Sequence, residues 1–324
     1  MGGTRQIDWP VDDLDLTREY GLVSLTAKEN HRAVLRIEND AAEYALKCVE
    51  LTPGNLVFLQ ETLDFIQSRG FTNLPRILPT VNGERFVSSG ARTYFLMEWL
   101  PGHESKFTDR NELIICAQLL GKLHRLTKGF YPYGNNWQER WSAKLKELSE
   151  IDCSHAAVLR KILPEVIRAG HKALRLLDDP EVVESFRQPA VVCHHDLSQR
   201  NFIISPRNEG FLIDFDYAKA DTPMRDLAQF LARALKQNDW DSNLTTQLLS
   251  AYAQENPLSR GDLGAMLAFL HFPRSLWGFG GRLNKHTTKE SIGELTKKVE
   301  ESLVRQSHIA RLSNLLGFDD IPYL

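Results

Sequence analysis

The chain has 324 residues, 42% of them hydrophobic, enough for one large domain or for two lobes with a core each. Its 39 Lys and Arg against 42 Asp and Glu leave a formal charge of -3, which gives no nucleic-acid footprint. Cys48, Cys116, Cys153 and Cys193 are scattered with no CxxC pair, no basic-then-apolar leader opens the chain, and no apolar run nears the roughly 20 residues that span a bilayer, so a soluble cytoplasmic protein is expected.

From Tyr20 the sequence turns β-like. YGLVSLTAK, RAVLRIE and EYALKCVE, separated by Glu29-Asn30 and by Asn39-Asp40-Ala41-Ala42, predict three antiparallel strands. Gly21 is the one glycine near the first turn, and both an ordinary turn role and a phosphate-covering role stay open for it. Lys47 sits inside the third strand. Pro53-Gly54 opens a helix to about Ser68, with Leu56, Leu59, Leu63 and Ile66 at core spacing. Arg76 to Val81 and Arg85 to Ser88 predict a hairpin around Asn82-Gly83, and the strand from Thr93 to Leu100 follows until Pro101-Gly102 breaks it.

Beyond that break the pattern is helical. Thr108 with Asp109 caps a helix through Leu113, Ala117, Leu120 and His124, where a histidine on an apolar stripe reads as a core residue. Asn136 to Glu150 and His155 to Phe186 are further helices, the second expected to kink or restart at Pro164. Then comes the most informative stretch. Phe202 to Ile204 and Phe211 to Ile213 flank Ser205-Pro206-Arg207-Asn208-Glu209-Gly210, a hairpin that would bring Asp196, Asn201 and Asp214 together. Two carboxylates and an amide oxygen form a hard oxygen set that suits Mg²⁺ with phosphates in its remaining positions, whereas zinc asks for His and Cys. The candidate reaction is phosphoryl transfer. Asp221 and Thr222 read as turn and cap residues for a helix from Pro223, and helix with loops continues to about Leu316. The aromatic segment from His271 to Phe279 lies where no Asp or Glu occurs between Asp262 and Glu290, while Arg274, Arg282 and Lys285 do.

The wording H-x-D-L-x-x-x-N from His194 to Asn201, followed by Ile213-Asp214-Phe215-Asp216, resembles the signature of the aminoglycoside phosphotransferase and choline kinase-like family, a branch of the protein-kinase-like fold. Within that branch, IDFDYAKADTPMRDLA most resembles the spore-coat-associated kinase-like proteins. The resemblance implies an α+β, bilobal protein-kinase-like fold. A small antiparallel sheet with one helix would form a nucleotide-binding lobe over residues 1–100, and a mostly helical catalytic and acceptor-binding lobe would cover residues 101–324. It implies Asp196 as catalytic base, His194 as the motif histidine bracing the loop, and Asn201 and Asp214 as metal ligands. Lys47 would reach the α- and β-phosphates, paired with a carboxylate on the next helix; Glu61 is the nearest glutamate, though Gln60 lies closer to the usual offset. Backbone groups of Glu98 and Leu100 would meet the adenine edge, and Asp226 would brace the catalytic loop. The chain departs from the pattern at His195, where the family has Gly, and at Asp216, where protein kinases have Gly; the latter points to the small-molecule branch.

ATP and Mg²⁺ are the implied cofactors. The C-terminal helices would supply the acceptor pocket, and with no carboxylate in the aromatic segment the acceptor is a neutral, anionic or aromatic hydroxylated small molecule rather than a polycation. Helix packing is the other use those aromatics allow. No nucleic-acid or membrane partner is implied. Two rival readings fit the same residues: a catalytically silent kinase-like protein in a structural or scaffolding role, such as a spore-coat component, and a metal-dependent hydrolase built on the His-x-Asp pair. The second would need a further His/Asp cluster at ligand spacing, which the sequence lacks.

Overall fold

The computed structural model describes residues 15–23, 25–31, 34–89, 92–131, 136–152, 156–277 and 289–318. The chain forms two compact units, Met1–Ser105 with Gln199–Asp216, and Lys106–Ser198 with Tyr217–Leu324.

In the first unit a short helix, α1 (Leu16–Tyr20), precedes the sheet. β1 (Thr26–His31), β2 (Val34–Glu38) and β3 (Glu43–Val49) pair antiparallel; Glu29 and Asn30 lie inside β1, and the turn after it is outside the described residues. Alternation along the strands places Leu35, Ile37, Leu46 and Cys48 in one buried cluster with Tyr94 and Leu96. α2 (Pro53–Ser68) starts where the Thr52 side chain accepts the Asn55 N–H and Pro53 supplies a ready-made helical φ, and it buries Leu59, Leu63 and Ile66 at helical spacing.

The expected hairpin around Asn82-Gly83 does not form. The chain does turn there, with Gly83 at φ +83°, but β4 (Ile77–Leu78) and β5 (Val87–Ser89) do not pair with each other. Both lie instead along β6 (Arg92–Glu98), β4 opposite Leu96 and Met97 and β5 opposite Arg92 to Tyr94. The cause is the buried run from Thr93 to Leu96, whose main-chain groups need partners on both edges of the strand.

A single division between residues 100 and 101 is also not how the chain divides. Gly102 has φ +148°, and a Cβ there would stand 2.3 Å from the Ile204 carbonyl oxygen. That close approach lets β7 (His103–Glu104) pair with β9 (Phe202–Ile204), which pairs in turn with β10 (Gly210–Leu212). A segment remote in sequence thereby joins the first unit.

The second unit is helical. α3 (Arg110–Leu126) is capped by Asp109, whose carboxylate accepts the N–H groups of Asn111 and Glu112, and α4 (Trp137–Ser149) is capped by Asn136. α5 (Ala157–Leu177) runs through Pro164 without a break, held by the buried stripe Leu159, Leu163, Val166, Ala173 and Leu176. The restart falls later, at α6 (Pro180–Arg187), where Asp179 caps and Pro180 occupies the first turn. Buried β8 (Val191–Cys193) and β11 (Lys219–Asp221) form a two-stranded ribbon with buried Asp221 opposite Val191. α7 (Pro223–Lys236), α8 (Ser242–Glu255), α9 (Arg260–His271) and α10 (Lys289–Leu315) complete the unit. α3 and α8 meet closely at Gly121, where a Cβ would lie 2.6 Å from the Tyr252 carbonyl oxygen. Among the described residues, no helix is long and apolar enough to cross a membrane.

Candidate active site

In the first unit the site grows from β3 and from the β9–β10 hairpin. Lys47, on β3, is 6% exposed, far too buried for an unpaired ammonium. Its Nζ donates to Asp214 Oδ1 at 2.5 Å and to Asp216 Oδ1 at 2.6 Å. Burial alone would push the Lys47 ammonium down, but the charges of Asp214 and Asp216 outweigh it and hold the pKa above its usual value. Asp216 shifts the other way from a typical paired carboxylate: burial and the neighbouring Asp214 charge raise it in spite of Lys47. Two carboxylates on one ammonium form an unbalanced cluster. Glu61 sits on an exposed position of α2, and the two carboxylates bonded to Lys47 come from the chain after β10.

The hairpin register puts Phe202 opposite Leu212, and the Ile213 N–H donates to the Asn201 carbonyl at 3.0 Å. Asn201, 2% exposed, is thus fixed beside the residue preceding Asp214. Asp214 itself has φ +69°, a left-handed conformation that turns the chain sharply between the two carboxylates. At the end of β6, Glu98 donates its N–H to the Arg76 carbonyl at 3.0 Å, while the Arg76 N–H bonds the Glu98 side-chain carboxylate at 3.0 Å. The side chain therefore takes the donor that a continuing ladder would hand to the Glu98 carbonyl. Leu100 lies just past the strand, half-buried.

In the second unit α7 carries a row of polar side chains toward the His194–Ser198 loop. Asp226 accepts the His194 N–H at 2.5 Å and the His195 N–H at 3.1 Å, Gln229 accepts the Leu197 N–H at 3.2 Å, and Arg233 donates to Asp196 Oδ1 at 2.9 Å. The spacing Asp226, Gln229, Arg233 is one helix face. His194, fully buried, accepts the Asp196 N–H on Nδ1 at 3.3 Å. Burial would raise the Asp226 carboxyl, but His124, whose Nε2 lies 3.6 Å away, and the charges of His195 and His194 pull it down to about 2. His124 Nδ1 meets the Tyr252 hydroxyl at 2.7 Å, and that hydroxyl accepts from Asn256 at 2.9 Å.

Asp221 is more than a turn residue. At 2% exposed, it lies 3.1 Å from His195 Nε2 and accepts from Arg225 at 2.6 Å; these partners outweigh burial and keep its carboxyl below the usual range. His195 has φ +64°, and its ring also lies 2.8 Å from Arg225. The sequence offered no local sign of this trio, because ribbon pairing across β8 and β11 creates it. Asp226, Gln229 and Arg233, by contrast, were findable from helical periodicity once Asp226 was suspected.

One buried group of His124, Cys193 and Asp226 has the makings of a metal set. Its members are otherwise engaged: Asp226 with loop N–H groups, His124 with Tyr252, and Cys193, whose thiol donates to the Thr222 carbonyl at 3.2 Å. Burial and the charges of Asp226 and Asp221 push that thiol well up, so it stays protonated and is a poor ligand.

The second unit also contains a cavity of about 310 Å³. Its floor is Trp141, Phe269 and Phe272, with Trp141 stacked on Phe272 at 4.3 Å between ring centroids. Trp137 and Trp277 wall it, and Arg140, Arg225 and Arg274 bring charge to it. Within the aromatic segment Phe272 is core and Trp277 lines the cavity; Gly278, Phe279, Arg282 and Lys285 lie outside the described residues.

The strand-borne lysine held by two carboxylates after a β-hairpin, and the loop aspartate braced by the following helix, belong to a protein-kinase-like fold. The solved aminoglycoside phosphotransferase of Alicyclobacillus acidocaldarius is similar at a TM-score of 0.78 and 21% identity, covering 92% of this chain and 94% of that one. An amicoumacin kinase solved with AMP-PNP, Ca²⁺ and amicoumacin is similar at a TM-score of 0.60 and 16% identity, covering 90% and 91%. The chain belongs to the phosphotransferase enzyme family, whose model matches residues 23–269. Spore coat protein S of Bacillus subtilis is 24% identical over 279 residues, 80% of this chain and 79% of that protein.

Proposed function

We propose that this chain is a Mg²⁺-dependent phosphotransferase that moves the γ-phosphoryl group of ATP to a hydroxyl of a small-molecule acceptor. The observation that carries the reading is Lys47, a buried cation bonded to two carboxylates whose side chains remain 31% and 22% exposed. One ammonium against two carboxylates leaves a net negative cluster of hard oxygens, which suits a divalent cation. Asn201 and Asp214 would hold Mg²⁺, with Asp216 beside them, and the bound ion would neutralise phosphate charge. Lys47 binds the α- and β-phosphates, and the main chain of Glu98 and Leu100 receives the adenine edge. Asp196 orients the acceptor hydroxyl and takes its proton, while Arg233 fixes the carboxylate and His194 fixes the backbone behind it. Positioning and charge complementarity then supply most of the rate gain.

Family membership supports the reaction class, and the AMP-PNP bound by the amicoumacin kinase supports ATP as donor. ATP with Mg²⁺ is expected to raise the melting temperature of the chain by several degrees, and Asp214→Ala to remove that shift; an unaltered chain whose melting ignores Mg·ATP would sink the reading. A second reading has one observation in its favour, the similarity to Spore coat protein S: a kinase-like protein in a structural role, at the spore coat rather than in the cytoplasm. Nucleotide binding without phosphoryl transfer to any member of a broad acceptor panel would favour it.

A further inference from the structure

We propose that the arginine- and tryptophan-lined cavity of the second unit seats a small hydroxylated molecule that carries an anionic group, and that this molecule is the phosphoryl acceptor. The acceptor role rests on the phosphotransferase reading above; the selection for an anion does not.

Charge is the first argument. Arg140, Arg225 and Arg274 converge on the cavity, and no carboxylate lines it among the described residues. Arg225 is partly balanced by Asp221 at 2.6 Å, whereas Arg274 makes no ion pair among the described residues. Desolvation first, and the neighbouring Arg225 charge second, push the Arg274 guanidinium down to about 10 against the opposing charges of Asp226 and Asp221. Cation–π contacts account for part of the arrangement: Arg140 lies 4.9 Å from the Trp137 ring centre and Lys144 lies 5.6 Å from that of Trp277. They do not explain why like charges gather around open volume. An anion in that volume would relieve their repulsion, and a polycation would aggravate it.

Size and build are the second argument. A volume of about 310 Å³ is at the small end of ligand sites, roughly 300 to 1,000 Å³, and the stacked Trp141–Phe272 floor offers an apolar surface to a compact carbon body. The wall is held in place rather than loose. Arg305 of α10 donates to the carbonyls of Leu270 and Phe272 at 3.0 and 3.2 Å, fixing the chain from which Arg274 and Trp277 project.

The third argument links the cavity to the chemistry. Arg225 lines it and also lies 2.8 Å from His195, whose chain neighbour is Asp196. A ligand anion bound by Arg225 is therefore addressed, through one side chain, to the loop that carries the proposed base.

The test titrates the full chain with 4-hydroxyphenylacetate, its neutral amide, tyramine and 4-hydroxybenzylphosphonate, followed by the fluorescence of Trp137, Trp141 and Trp277. Both anions are expected to quench saturably and at least tenfold more tightly than the amide, with tyramine weakest; the tighter of the two anions tells whether a carboxylate or a phosphate group is the natural occupant. Arg274→Gln should weaken anion binding about tenfold, the loss expected for one charge-assisted hydrogen bond, and Arg274→Lys should recover part of it. Equal affinity for acid and amide, tightest binding of tyramine, or an Arg274→Gln variant that binds anions unchanged would each overturn the proposal. The Mg·ATP melting shift of the unaltered chain reports separately on the phosphotransferase reading. Anion selectivity without a nucleotide shift keeps the anion seat and removes its role as acceptor site; a nucleotide shift without anion selectivity does the reverse.

Discussion

Two carboxylate clusters in this molecule look alike in composition and differ in purpose. Around Lys47, Asp214 and Asp216 are partly open to solvent and outnumber their cation. Around the His194–Ser198 loop, Asp226 and Asp221 have side chains 1% and 3% exposed and are matched by main-chain N–H groups, His124, His195 and Arg225. A balanced, sealed cluster is a fixture, because removing any member strands a buried charge. An unbalanced, accessible one is ready to exchange a partner for phosphate or metal. Burial and charge count, more than the presence of Asp or His, separate scaffold from reagent here.

The sharpest way to break that contrast is at Asp196, the carboxylate that belongs to the loop yet faces outward, with its side chain 31% exposed. Asp196→Ala is expected to lower kcat by about 10³-fold, within the usual range for loss of a general base, while the Mg·ATP melting shift persists; steady-state kinetics with an identified acceptor would check both. Next comes the sealed cluster. Asp226→Ala should cost about 3 kcal/mol in urea unfolding, since two loop N–H groups lose their shared acceptor and buried His124 loses the carboxylate 3.6 Å away. Asp216→Ala should cost far less stability, because Asp214 still neutralises Lys47, and should show mainly as weaker nucleotide binding.

Acid sharpens the comparison further. The folded Asp226 carboxyl, at about 2, lies below its ordinary 3.8, so its stabilising ionisation is fully present above about pH 4 and is lost as pH falls toward 2. That loss amounts to about 2 kcal/mol, and it should vanish from the acid-unfolding profile of Asp226→Ala. The smallest effect is expected at Arg233. Arg233→Gln should reduce kcat by about tenfold, a positioning loss of one charge-assisted bond, and Arg233→Lys should recover part of it.

What the chain makes legible of the candidate site is local: Asp196, Asn201 and Asp214 fall in one short stretch with a hairpin inside it, and strand alternation sets Lys47 in an apolar run. What resisted reading was set by tertiary pairing. Asp216 looked like a mere departure from pattern until Lys47 was seen to bond it, and Asp221 looked like a cap until the ribbon of β8 and β11 brought it to His195. Pro164 and Pro180 show the same limit. Proline chemistry marks both, but the buried stripe of α5 carries the helix past the first, while the Asp179 cap makes the second a true start. Strands β4 and β5, expected to pair with each other, were likewise claimed by the edge of β6, a decision no window of sequence contains.

The contact at Gly121 has a consequence for anyone altering this protein. α3 and α8 lean on each other there with main chain nearly touching, and from the same helices His124 and Tyr252 reach toward Asp226. A single methyl group added at Gly121 would wedge the two rods apart and tilt the prop beneath the His194–Ser198 loop. Such a lesion would mimic an active-site mutation from a residue that never meets a substrate, so loss of turnover by itself is a poor guide to where in this molecule the chemistry is done.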